Sequence, residues 1–291
     1  MRKSGERLAF VPPMLPTLVA EPPEGNDWIH EIKYDGYRTQ IVIDREGVRI
    51  FTRNGHDWTA KFQPIADAAE KLPAITTIID GEMIVTNATG EPDFHALRQA
   101  IKSAPERLKF VAFDLLHWNS KDMRSRPYRD RRRALWSLIE PAKGRIQFSE
   151  SIDGEGAAFF AAVDAMGLEG IVSKRADAPY ASGRTRAWLK VKCYDEATYD
   201  IVGVQREAGK PAMVLMADQG RYMGGAFVTL PRGIRERLWA RVQAKAGAKP
   251  PTGLKAEKAE WVKPGLRGRV KFLKGEETLR HASLQDWSED G

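Results

Sequence analysis

Along the N-terminal part of the chain, apolar positions switch between a spacing of two and a spacing near 3.6, which predicts alternating strands and helices. Residues 28–38, 39–44 and 48–53 read as consecutive strands, with Asp44-Arg-Glu-Gly47 turning between the last two. Phe62, Ile65, Ala69 and Leu72 fall at helical spacing and predict a helix over 62–72. Residues 76–86 are rich in β-branched side chains and predict a strand, and 94–101 a short helix. The apolar run at 108–118 is too continuous for a half-exposed strand and predicts a buried central one. Helices over 128–139, opened by Pro127, and over 156–166 precede strands at 170–174 and 188–193. Ahead of all these, Pro12, Pro13, Pro16, Pro22 and Pro23 mark an extended, turn-rich stretch. The first eight residues read as polar and poorly ordered.

Beyond Asp195 the pattern changes to short strands separated by glycines, at 199–206, 212–217, 221–228, 261–264 and 269–272. A helix at 233–244 and a lysine-rich link at 245–253 interrupt them. The shift predicts two domains, 1–195 and 196–291. The second is compatible with a small Greek-key barrel, although periodicity does not choose that over other small β folds.

Composition narrows the classes. A chain of 291 residues can bury two cores. No apolar run is long enough to span a bilayer and no signal-peptide core opens the chain, so a cytoplasmic protein without membrane contact is expected. Cys193 is the only cysteine, which excludes an intrachain disulfide and a cysteine-rich zinc site. The five histidines (His30, His56, His95, His117 and His281) show no ligand spacing and, with Cys193, are assigned structural or surface roles. Net charge is +7, with 29 Lys and Arg against 27 Asp and Glu up to Asp195 and 17 against 12 beyond it. A basic C-terminal part suits phosphate backbones, although an ordinary solvated surface accounts for the charge almost as well. The densest basic cluster, Arg129, Arg131, Arg132 and Arg133, reads as a solvated helix face, with a DNA contact as the alternative.

One stretch carries candidate chemistry. Glu31-Ile-Lys-Tyr-Asp-Gly-Tyr-Arg38 sets Lys33 just ahead of an Asp-Gly turn and an arginine. A covalent nucleotidyl transferase presents its attacking amine to an α-phosphate in this way. The amine must be unprotonated to attack, which nearby cations such as Arg38 and partial desolvation favour. Gly36 is expected to supply positive φ to the turn. Alone the motif is short enough to arise by chance, and a lysine beside a turn is usually only solvated.

Further motifs follow in order: Phe51-Thr-Arg-Asn-Gly55, Asp80-Gly-Glu-Met-Ile-Val85, Phe110-Val-Ala-Phe-Asp-Leu-Leu116, Glu169-Gly-Ile-Val-Ser-Lys174 and Trp188-Leu-Lys-Val-Lys192. With the lysine motif they make the chain resemble the ATP-dependent DNA ligases, most closely the bacterial end-joining module of the ligase D and ligase C type. Pro179-Tyr-Ala-Ser-Gly-Arg-Thr-Arg186 resembles that family's loop before its last motif. The resemblance implies an α+β fold, a nucleotidyltransferase domain of ATP-grasp-like antiparallel sheets with helices followed by an OB-type β-barrel. It implies a DNA ligase that seals 5′-phosphate/3′-hydroxyl breaks through lysyl-AMP and DNA-adenylate, in repair and end joining.

The matching positions then acquire roles. Lys33 would carry AMP. Lys190 and Lys192 alternate along a strand, share one face and would meet the α-phosphate. Glu169 would face Mg²⁺ or Mn²⁺, since a bare carboxylate beside a triphosphate repels it. Glu82 would accept from ribose hydroxyls. Phe113 would stack on adenine, where without the resemblance it reads as core. Arg53 would reach the nucleotide or the 5′-phosphate of the break, and Arg38 would sit near the ribose. Glu31, two residues before Lys33 and on its face, would read the adenine edge. Implied partners are nicked or broken duplex DNA and a Ku-type end-binding protein, with the chain a monomer associated with the nucleoid.

The match departs near the C-terminus. Leu279-Arg-His-Ala-Ser-Leu284 resembles the stretch before a final Arg-x-Asp-Lys pattern, but Ser288-Glu-Asp-Gly291 stands in its place. Those cations orient the leaving pyrophosphate in the family, so their loss bears on the first step, with Arg280 or a basic strand of the OB domain a candidate substitute. Two other classes stay open: an RNA ligase or capping-type guanylyltransferase, and a degenerate nucleic-acid-binding protein that cannot load AMP.

Overall fold

Alternating apolar residues organise the unit Met1–Lys192 into two sheets, while Cys193–Gly291 forms a second unit. The computed structural model describes residues 7–140, 144–251, 259–274 and 278–289. Residues 1–6 of the loose start expected from sequence, 252–253 of the link, and 290–291 at the C-terminus lie outside the described residues.

In chain order the first unit begins with β1 (Met14–Leu18), β2 (Trp28–Ile32), β3 (Tyr37–Asp44), β4 (Gly47–Thr52), α1 (Gln63–Ala69), β5 (Thr77–Ile84) and α2 (Phe94–Ser103). It continues with β6 (Lys109–Trp118), β7 (Lys121–Asp122), α3 (Tyr128–Ile139), β8 (Ile146–Phe148), β9 (Ser151–Asp153), α4 (Gly156–Ala165), β10 (Gly170–Arg175) and β11 (Gly183–Lys192). One sheet has the order β1-β11-β10-β2-β9. The other runs β4-β3-β5-β6-β7, with β8 added on β6.

The second sheet is covered on both faces, which accounts for the continuous apolar run of β6. Phe110, Ala112 and Leu115 cluster with Ile65 of α1, Leu97 of α2 and Leu135 of α3. On the opposite face Val42, Ile78 and Leu116 cluster with Tyr180 and Trp188. Trp188 belongs to β11, so this second core ties the two sheets together around the lysine motif.

Several elements differ from the sequence reading. Residues 28–38 are not one strand: β2 ends at Ile32, residues 33–36 leave the sheet, and β3 starts in the other sheet. Lys33 therefore lies in the crossover. Gly36 does not adopt positive φ; it is required because a Cβ there would come closer than 3.0 Å to the Met83 carbonyl of β5. The proline-rich stretch contains β1, an edge strand where Pro16 is tolerated at a register shift. Strand β11 starts at Gly183 rather than 188; its Arg-Thr-Arg opening is exposed or half-exposed and reads as a loop in the sequence. Strands β8 and β9 span three residues each, too few to show a period.

The second unit contains β12 (Tyr194–Gln205), β13 (Met213–Asp218), β14 (Arg221–Val228), α5 (Arg232–Ala244), β15 (Ala259–Trp261), β16 (Leu266–Leu273) and β17 (Ser283–Glu289). Its strands pair in the order β13-β14-β17-β16-β12-β15, and β12 also pairs with β13. Ile201, Val214, Met216, Leu238, Val270 and Leu284 fill its core. Strand β17 escaped the sequence reading because Leu284 is its one fully buried side chain.

Gly36→Ala is expected to destabilise the protein by about 1–3 kcal/mol through overpacking against β5. Urea denaturation measures this, and an unchanged midpoint would mean that β5 yields at no cost.

Candidate functional site

Three strand ends build the site. Strand β10 lies antiparallel between β2 and β11, so its first residue sits beside the last residues of both neighbours. Lys33 follows β2 directly, and its backbone N–H donates to the Gly170 carbonyl at 2.8 Å. Gly170 in turn pairs with Lys192. Glu169, just before β10, is thereby delivered between two lysines. The Lys33 ammonium donates to Glu169 Oε2, and Lys192 Nζ lies 3.7 Å from Oε1.

Lys33 opens into a cavity of about 530 Å³ that is also lined by Glu31, Arg38, Arg53, Glu82, Phe113 and Lys190. Glu169 and Lys192 join this group through their ion pairs. Half-buried Phe113 meets Trp188 edge-on, with centroids 6.1 Å apart. Lys174 Nζ lies 4.3 Å and Arg38 Cζ 4.9 Å from the Phe113 ring centre. The cavity therefore combines an aromatic wall with cations, a pairing that suits a nucleobase attached to phosphates.

Buried pairs hold these side chains in place. Arg38 makes a bidentate pair with Asp80, at 3.0 and 2.7 Å, and Tyr180 donates its hydroxyl to Asp80 at 2.6 Å. Glu31 is 2% exposed and accepts from four groups. These are Lys174 at 3.0 and 3.1 Å, Ser149 Oγ at 2.7 Å, Arg132 Nη1 at 3.3 Å and the Tyr128 hydroxyl. Burial lowers the Lys174 pKa to about 8, even though Glu31 favours its charged form. Burial raises Glu82 to about 8, against the opposing pull of Lys33 and Arg38. The Lys190 pKa is lowered by burial, then by the neighbouring Lys192 and Lys33 charges.

The arginine cluster of α3 is not a solvated face. Arg131 is fully buried in a bidentate pair with Asp114, at 2.7 and 2.8 Å, and Arg132 is buried against Glu31; Arg129 and Arg133 are exposed. The spacing carried the signal, since Arg131 and Arg132 fall on the inward stripe of Tyr128, Leu135, Leu138 and Ile139. Lys174, Trp188 and Arg184 also line the cavity, and the sequence reading gave none of them a role there. Parity could have found two of them: Lys174 follows Val172 on β10, and Trp188 shares the parity of Lys190 and Lys192 on β11. His30 is buried with Nδ1 2.8 Å from Ser173 Oγ, in keeping with a structural role. Among the described residues no group of three or more His, Cys, Asp or Glu could hold a metal. Glu169 fits a hard cation as one carboxylate acting with substrate phosphates.

The architecture is that of a nucleotidyltransferase domain joined to an OB domain, as in solved ligase domains. A family described as "ATP dependent DNA ligase domain" matches residues 13–192, and the chain belongs to that family. It is 31% identical over 272 residues to the multifunctional non-homologous end joining protein LigD of Pseudomonas aeruginosa, covering 88% of this chain. The match takes in 32% of that protein, so the chain spans about a third of the relative's length. The SPbeta prophage-derived DNA ligase-like protein LigB of Bacillus subtilis is 28% identical over 284 residues, 96% of this chain and 99% of that protein. The structure of mycobacterial DNA ligase D complexed with ATP and MES aligns with a TM-score of 0.59 at 27% identity, over 96% of this chain and 95% of that one.

Lys174→Met removes the nearest cation from a buried carboxylate and is expected to cost about 3 kcal/mol in chemical denaturation. Glu82 provides a pH test. Its folded pKa of about 8 lies above the ordinary 4.5, so the stability linked to its proton is complete below 4.5 and lost as pH rises through 8. The Tm of the parent should therefore fall more steeply than that of Glu82→Gln between about pH 5 and about pH 9. Parallel curves would exclude a buried, proton-holding Glu82.

Proposed function

We propose that this chain joins 5′-phosphate to 3′-hydroxyl ends in duplex DNA, using ATP, with Lys33 as the nucleophile. The observation that carries the reading is the Lys33–Glu169–Lys192 cluster opening into a cavity with an aromatic wall, in a chain of the ligase family. The Lys33 amine attacks the α-phosphorus of ATP, forming an N–P bond while the bond to pyrophosphate breaks. A 5′-phosphate oxygen of the broken strand then attacks that phosphorus and releases Lys33. Attack of the 3′-hydroxyl on the activated 5′-phosphate seals the strand and expels AMP. Each step is phosphoryl-type transfer, in which positioning and charge neutralisation supply most of the acceleration.

The residues take their parts in that sequence. Phe113 and Trp188 would pack on the base, Glu82 would meet the ribose hydroxyls, and Lys190 and Lys192 would hold the α-phosphate. Glu169 orients the Lys33 amine and would hold Mg²⁺ or Mn²⁺ together with substrate phosphates, where the cation would offset their charge. Arg53, exposed on the cavity wall, suits a phosphate of the nucleotide or of the broken strand. Arg38 supports the ribose side from its anchor on Asp80. For Glu31 the adenine-edge role loses support, because four donors already occupy the roughly four acceptor sites of a carboxylate. It is better read as the anchor of Lys174.

The similarity to a non-homologous end joining protein supports end joining on nicked or broken DNA. A Ku-type end-binding partner, a monomeric chain and association with the nucleoid are proposed along with it. Labelled ATP with Mg²⁺ or Mn²⁺ should leave acid-labile label on the parent protein and none on Lys33→Ala. Label from GTP instead would move the chain to the capping class. Sealing confined to RNA would make it an RNA ligase, and no label together with no sealing would leave a nucleic-acid-binding protein.

A further inference from the structure

Away from the lysine cavity, α3 borders a groove of about 570 Å³ lined by Arg129, Arg133, Trp136, Phe148, Ser151 and Asp153. Residues 129, 132, 133 and 136 are spaced three and four apart, so they form one stripe along the helix. Trp136 is 46% exposed and meets Phe148 of β8 edge-on, with ring centres 5.1 Å apart. Arg132 Cζ lies 4.2 Å from the Phe148 ring centre, while its terminal nitrogens donate to Glu31 and to the Ser149 carbonyl. The aromatic floor of the groove is therefore held from inside. Above it Arg129 is exposed, and Arg133, also exposed, has Asp130 at 3.9 Å.

The opposite wall is a strand with an open side. Strand β9 ends its sheet and pairs with β2 alone. Its register sets Ser151 against Glu31, Ile152 against His30 and Asp153 against Ile29. One residue on, the Gly154 amide donates to the Trp28 carbonyl at 3.0 Å. Antiparallel pairs alternate, so Ile152 and Gly154 turn their main-chain groups toward β2, and Ser151 and Asp153 turn theirs outward. The two outward residues are the ones that line the groove. Edge groups of this kind are a template for an added strand.

Charge selects the occupant. Arg129 and Arg133 stand on the helix wall, while Glu150 and Asp153 are exposed on the strand side. A phosphodiester chain laid along β9 would meet those acids, and the β9 of a second copy would set acids against acids. A peptide can direct its carboxylates to the helix wall alone. We propose that the groove between α3 and the β9 edge docks an extended peptide segment of a partner protein, with an apolar side chain and a carboxylate on one face. Its main chain pairs with Ser151 and Asp153, and alternate side chains point to α3. There the apolar one packs on Trp136 and Phe148, and the carboxylate meets Arg129 or Arg133. The groove shares no lining residue with the lysine cavity, so docking here does not depend on the nucleotidyl-transfer reading.

The test selects a phage-displayed random-peptide library on the full chain, then measures the enriched sequence as a synthetic peptide. Enriched peptides should alternate apolar and acidic residues, and binding should slow amide exchange at Ser151 and Asp153. Ser151→Pro removes an outward N–H that β2 does not use, a change that an edge strand tolerates, and Trp136→Gln alters an exposed side chain. Each should weaken the peptide about tenfold or more at unchanged Tm. Should Ser151→Pro lower the Tm, Trp136→Gln carries the comparison. Arg129→Glu combined with Arg133→Glu should turn the selection toward basic peptides. The proposal fails if no sequence is enriched, or if the variants bind the enriched peptide as tightly as the parent does. Fluorescent oligo(dT) bound by the parent and released by Trp136→Gln would instead give the groove to single-stranded DNA. Self-association in sedimentation that Ser151→Pro abolishes would give the edge to a second copy, and either result overturns the peptide reading.

Discussion

The site depends on one piece of backbone geometry, the placement of β10 between β2 and β11 with both pairings antiparallel. That arrangement puts the start of one strand beside the ends of two others. Lys33, Glu169 and Lys192, far apart in sequence, meet there, Lys33 and Glu169 each lying one residue beyond a strand end and Lys192 closing β11. The hydrogen bond from the Lys33 amide to the Gly170 carbonyl fixes where the lysine leaves the sheet. Gly170, at φ +142° and against the Val191 carbonyl, allows the close approach that the junction requires. An attacking amine must be held near its target for proximity to count, and three strand ends hold it better than a mobile loop would.

Around that junction the protein buries charge in pairs. Arg38 with Asp80, Arg131 with Asp114, and Lys174 with Glu31 each sit within hydrogen-bonding distance. Replacing such a pair by apolar residues is often neutral for stability, while removing one partner is costly. The pairs are therefore best understood as positioning devices. They support the cavity wall formed by Phe113 and Trp188, whose rings are approached by both Arg38 and Lys174. Arg38 and Lys174 are thus each held by a carboxylate while lying against the aromatic rings.

Much of the fold was legible in the chain. The long β6 announced itself by an apolar run with no alternation, and α3 by its period and its opening proline. What escaped were elements whose residues look polar or lack length. Strand β1 was hidden by Pro16, which an edge strand accepts. The opening of β11 reads as loop because its arginines face solvent. The break after Ile32 was invisible because nothing local distinguishes a residue that stays in a sheet from one that crosses to another. Within the site, Lys33, Glu169, Lys190 and Lys192 could be named from motif and parity. Glu31 could be named, but not that four neighbours from other elements would occupy its carboxylate.

By itself, then, the sequence determined which segments can form strands and helices, and which short motifs bring together a lysine before an Asp-Gly turn, a carboxylate and paired lysines. Those are properties of spacing and residue type within a few positions. Only the tertiary structure decided which charges are spent. Arg131 and Arg132 are adjacent to Arg129 and Arg133 in the chain, yet the helix turns the first two onto buried acids and the other two into solvent. Gly36 is likewise a choice made by a strand well over a turn away, whose carbonyl leaves no room for a Cβ. Partnership and clearance are set by groups distant in sequence: the helical period records which arginines face inward, but not which acids they meet.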